Sequence, residues 1–80
     1  MPVFLLHHRH EPAECAAAYA AWQGFDSPLR HHPASSTCLA GGHELWWRVE
    51  AGDEDGALAL VPRYVAERTR PIAVRDVEIP

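Results

Sequence analysis

The chain contains no lysine; all of its basic residues are arginines. That excludes a Schiff-base lysine mechanism. The arginines stand apart at 9, 30, 48, 63, 68, 70 and 75, and the formal net charge is -4. A nucleic-acid binder normally carries a basic stripe, so no nucleic-acid partner is expected. No apolar run reaches the roughly 20 residues that cross a bilayer, and no signal-peptide pattern opens the chain. There are only two cysteines, Cys15 and Cys38. A disulfide framework is therefore not expected, and a cytoplasmic protein with reduced thiols is the default. Ser-His-Asp order, a glycine-rich phosphate loop and a haem-attachment motif are all missing.

Eighty residues make one domain, 1–80. A chain of this length buries only about 60–65% of its unfolded surface, which makes it marginal alone. With disulfides set aside, a partner subunit or a metal is the expected supplement. What the chain has in quantity is histidine, six in all, grouped as His7, His8 and His10, then His31 and His32, then His43.

The stretch Gly41 to Glu50, GGHELWWRVE, anchors the fold reading. Strand alternation puts His43, Leu45, Trp47 and Val49 on one face and Glu44, Trp46, Arg48 and Glu50 on the other. The first is a core face. The second is polar except for Trp46, whose apolar area calls for a partner or for cover from Arg48 and Glu44. Val3 to His8 or His10 reads as a first, central strand, apolar on both faces from Val3 to Leu6. Pro12 suits the start of a helix whose stripe is Cys15, Ala18, Tyr19 and Trp22, stopped by Gly24. After a connector with Pro28 and Pro33, Ser35 to Ala40 is expected as a second strand, joined to the Trp-rich strand by a two-residue Gly41-Gly42 hairpin. Asp53 should cap a second helix with the stripe Ala57, Val61, Tyr64, Val65 and Arg68. Pro62 should kink that helix or break and restart it. Ile72 to Ile79 is expected as the last strand.

The order βαββαβ predicts an α+β, ferredoxin-like domain: a four-stranded antiparallel sheet in order 4-1-3-2, with helices on one face. The open face would carry Trp46 and half of the apolar first strand, so a second sheet should cover it in a homodimer. The element order, the size, that apolar face and the run Leu45 to Ala51 through Asp53-Glu54 into a helix resemble the small dimeric α+β barrel proteins. These include antibiotic-biosynthesis monooxygenases, muconolactone-isomerase-like proteins and short actinobacterial proteins, some nickel-binding. The resemblance implies the fold, the homodimer and a ligand site between sheet and helices. It carries no catalytic residue over to a numbered position.

Two kinds of chemistry follow from the residues. His8 and His10 lie two apart on a strand, about 7 Å along one face, and both imidazoles can reach one divalent transition metal ion such as nickel, zinc or copper. Further ligands would come from His43, Glu44, Asp76, Cys15 or Cys38, among which spacing does not choose. The bland counterpart makes His7, His8 and His10 the polar exit of a strand. Alternatively, His8, His10 or His43 moves a proton in a pocket walled by the aromatic candidates Trp22, Trp47 and Tyr64, with Trp46 a further ligand contact. Arg48 or Arg75 would then hold an anion or a developing enolate. The competing role for Arg48 is an ion pair with Glu44, Glu50 or Glu78. His31-His32 sits in a loop, as a lid, a ligand pair or solvated side chains. Cys15 reads as a small core hydrophobe and Cys38 as an edge-strand thiol with no sequence neighbour to lower its pKa. The first functional expectation is a small-molecule-handling homodimer of isomerase, cyclase or monooxygenase-like type with an aromatic pocket. The alternative is a non-catalytic metal- or ligand-binding protein that uses the N-terminal histidines.

Overall fold

A computed structural model describes residues 1–80. Four strands, β1 (Val3–Arg9), β2 (Ser35–Ser36), β3 (Glu44–Glu50) and β4 (Thr69–Val74), form one antiparallel sheet in the order β2-β3-β1-β4. Three short helices, α1 (Cys15–Ala20), α2 (Glu54–Leu58) and α3 (Arg63–Ala66), accompany it. No helix is long and apolar enough to cross a membrane.

Period-two alternation sorts β1 and β3. Phe4, Leu6 and His8 point inward with Trp47 and Val49, and they pack with Ala57, Val61 and Val65 from the α2–α3 region. Register ties the two strands together, with Phe4 opposite Val49 and Leu6 opposite Trp47. The other face carries Val3, Leu5, His7, Trp46, Ile72 and Val74, all half-buried, bordered by Glu44, Arg48, Glu50 and Arg70. Trp46 finds its cover there on His7: the rings stack 5.1 Å apart and 1° from parallel.

Pro62 divides the second helical segment. It sits at φ -59, ψ 154, an extended conformation, and α3 restarts immediately after it. The break leaves the Leu60 carbonyl without a helical partner, and the Ser27 hydroxyl donates to it at 2.6 Å. This bond pins the Pro-containing connector to the break. Asp53 caps α2 by accepting from the Gly56 N–H at 2.7 Å. Gly24, at φ 75, turns the chain after α1.

Three boundaries differ from the sequence reading. The second strand is only Ser35–Ser36; Cys38–Ala40 instead forms a 3-10 turn. Thr37 closes this loop by accepting from Gly42 N–H and donating to the Glu44 carbonyl, so the hairpin is longer than Gly41-Gly42. Only Gly41 of that pair has positive φ. The last strand begins at Thr69, includes Pro71, and ends at Val74 rather than Ile79. Proline fits because β4 is an edge strand. Arg9 N–H donates to Arg68 C=O, and ladder bonds recur at every second pair, so Leu6–Pro71 falls on a pair that needs no N–H.

Candidate metal centre

Three short pieces of chain converge where β1 ends. His8 is the last inward residue of β1, 1% exposed. His10 follows it, 3% exposed, with its N–H bonded to the His43 carbonyl just before β3. The chain then reverses at Glu11, whose N–H is taken by the Glu14 carboxylate at 2.9 Å, and a 3-10 turn delivers Cys15 to the start of α1. Glu14 is itself held by Arg68 at 2.9 Å, and that guanidinium keeps its carboxyl below the usual carboxylate range.

The hydrogen bonds assign the protons. Val65 O can only accept; it takes the Thr69 hydroxyl at 2.6 Å and faces His8 Nδ1 at 3.2 Å. Thr69 has spent its one proton there, so its oxygen, 3.1 Å from His8 Nδ1, can only accept from that nitrogen. His8 Nδ1 therefore carries the hydrogen, and Nε2 of a neutral ring carries the lone pair. That lone pair lies 2.8 Å from His10 Nδ1, which must then be the donor. The end of the relay is His10 Nε2, a bare lone pair, buried and without a hydrogen-bond partner. Burial is the main reason both rings have lowered pKa values, so both are neutral at pH 7.

His43 supplies a second buried ring nitrogen without a partner, Nδ1. The His10 and His43 rings lie 5.4 Å apart, and ligand atoms of His10, Cys15 and His43 all fall within 4.8 Å of one another. Two unpartnered imidazole nitrogens beside a thiol are costly as they stand, about 1–3 kcal/mol for each buried orphan. They are also the donor types that zinc takes, at about 2.0–2.1 Å for nitrogen and 2.3 Å for sulfur. The site opens to a surface recess of about 620 Å³ bordered by Arg9, Glu11, Thr37 and Glu44.

The structure thus regroups the sequence candidates. His8 and His10 share a face, but His8 has both nitrogens occupied within the protein and orients His10 rather than facing the same ion. His43 and Cys15, both among the further ligands the sequence offered, join His10, although Cys15 had also read as a core hydrophobe. No spacing pattern signals that trio, because its members come from a strand exit, a helix start and a hairpin. Glu44 faces His7 at 3.7 Å, and Asp76 pairs with Arg48 at 2.8 Å on the exposed surface. Arg48 lies on the face opposite His8 and His10. Tyr64 is under Arg68, 3.8 Å from guanidinium carbon to ring centre. Trp22 and Trp47 come together with ring centres 5.8 Å apart, on the helix side of the sheet; Trp46 is on the other.

Cys38 is not inert by environment. The Tyr19 hydroxyl lies 3.3 Å from its sulfur, and Ser36 and Tyr19 together lower its pKa, while the phenol of Tyr19 is pushed up to about 12. No protein-family model, curated protein or solved structure matches this chain. Fold and site together define a small α+β protein with a His/Cys/His group of side chains that could hold a metal ion.

Proposed function

We propose that this protein binds one divalent transition metal ion, best suited to zinc, through His10 Nε2, Cys15 Sγ and His43 Nδ1. The observation that carries this reading is the buried, partnerless ring nitrogen of His10 at the end of the His8–His10 relay. Three protein ligands with an open fourth position is the pattern of zinc sites that keep a coordination place for water or a substrate. Nickel and copper are the competing ions for the same imidazoles. Binding displaces the thiol proton. Isothermal titration of metal-free protein with zinc should show one ion per chain and proton release that scales with buffer ionisation enthalpy. His10→Ala and His43→Ala should each abolish it. Stoichiometric zinc uptake by both variants would overturn the assignment.

The fold we read as the ferredoxin-like βαββαβ plan, working as a homodimeric α+β barrel. Support comes from the half-buried open face and its mixed-sign border of Glu44, Arg48, Glu50 and Arg70, which can complement itself across a two-fold axis. Trp46→Glu places a charge in that face and should give monomer or unfolded protein. Sedimentation of a folded, monodisperse wild-type monomer at micromolar concentration would refute the dimer.

A second reading, small-molecule handling, is favoured by a cleft of about 410 Å³ between Trp22, Trp47 and the 29–36 loop.

A further inference from the structure

That cleft has a charge pattern that narrows what it takes. Its floor is apolar: Trp22, Leu29, Leu45 and Trp47 line it. Its rim is Arg30, His31 and His32, and no carboxylate borders it anywhere. In a chain of net charge -4 this is a local reversal of sign. The loop is a turn rather than a strand there, with His31 in the left-handed region at φ 66, which lets three consecutive side chains border one cleft. Arg30 belongs to none of the ion pairs of the fold. Its one side-chain hydrogen bond is long, 3.4 Å from Nη1 to the Phe25 carbonyl, and leaves the rest of its donor fork unused.

Resting on the reading that the cleft holds a small molecule, we infer that its ligand is an organic carboxylate with a flat apolar body. The body would lie against the two indoles, and the carboxylate would be held by Arg30 with hydrogen bonds from the flanking imidazoles. An aromatic floor with a few placed polar groups is the usual make-up of such a site. A planar guanidinium suits a carboxylate, whose two oxygens accept parallel N–H bonds from its fork. Tyr19 borders both this cleft and the small gap over His8 and His10, and its ring stands edge-on to His10 at 6.4 Å. Trp22, Leu45 and Trp47 border both as well, so the cleft and the gap over His10 share a wall.

The test uses phenylacetate and its neutral isostere phenylacetamide, titrated into ¹⁵N-labelled protein while the indole N–H signals of Trp22 and Trp47 are followed. Phenylacetate should bind at least about tenfold more tightly than the amide, the scale of a charge-assisted pair. Arg30→Gln, checked for folding by the same spectrum, should erase that difference. Equal affinities for the two probes in the wild type would overturn the carboxylate inference and leave the cleft as a neutral aromatic site. Absence of indole shifts with either probe at millimolar concentration would overturn the cleft reading as well.

Discussion

His8→Ala is expected to weaken zinc binding by about 10–100-fold, although His8 is not a proposed ligand. The reason is positional. His8 Nε2 is the acceptor that keeps the hydrogen of His10 on Nδ1 and leaves Nε2 bare. Without it the ring is free to flip or to take the other tautomer. The same change should destabilise the metal-free protein by about 2–4 kcal/mol, from a fully buried ring removed and from the His10 donor left unpaired. A competition titration against a chromophoric chelator reads the first effect, and urea unfolding reads the second. His10→Ala removes a ligand outright, so it should lose binding completely where His8→Ala only weakens it. If His8→Ala lost stability but kept wild-type zinc affinity, the ring would be packing material and not a positioning residue.

The parts of the structure that were legible in the sequence are those dictated by short-range periodicity and backbone chemistry. Alternation placed Trp47 and Val49 inward and Trp46 outward, and the missing N–H of Pro62 marked where the helix divides. The misplaced boundaries share a cause: each depended on position in the sheet. Pro71 reads as a strand breaker until β4 is known to be an edge. Ser35 to Ala40 reads as a full strand until Thr37 is seen closing the loop onto Glu44 and Gly42. The site was half legible for the same reason. His8 and His10 are recognisable as a pair because strand geometry is local. Which of them offers a lone pair depends on Val65 and Thr69, far along the chain, and Cys15 and His43 join them only through the fold. Cys38 departs from its sequence reading for both reasons: Ser36, the larger cause of its lowered pKa, is a sequence neighbour two positions away, and Tyr19, the second, is 19 positions away.

Acidification below pH 6.5 should unfold the metal-free protein more steeply than its carboxylates alone would. Both His8 and His10 have folded pKa values lowered from 6.5, chiefly by burial. Above pH 6.5 neither the folded nor the unfolded chain protonates them, and their contribution to stability is complete. As the pH falls through 6.5, the unfolded chain takes up protons that the folded one resists, so stability declines until the folded values are reached. Each ring can contribute a slope of up to about 1.4 kcal/mol per pH unit in that window. The neighbours act both ways. On His8 the hydrogen bond to the Val65 carbonyl favours the charged form, while His10, Arg68 and His7 oppose it; on His10, His43 and Arg68 oppose charge and Glu14 favours it. Glu14 has its own window at lower pH, because its pKa is lowered from 4.5 and its stabilising pair with Arg68 is lost only as that carboxyl protonates. The urea midpoint of metal-free protein should therefore be flat from pH 8 to 7 and fall between pH 6.5 and 5. In the double variant His8→Leu with His10→Leu the decline should begin only in the carboxylate range. A wild-type midpoint that stays constant from pH 7.5 to 5.5 would mean that the two rings take up protons in the folded state as readily as in the unfolded one, and the buried neutral relay would have to be abandoned.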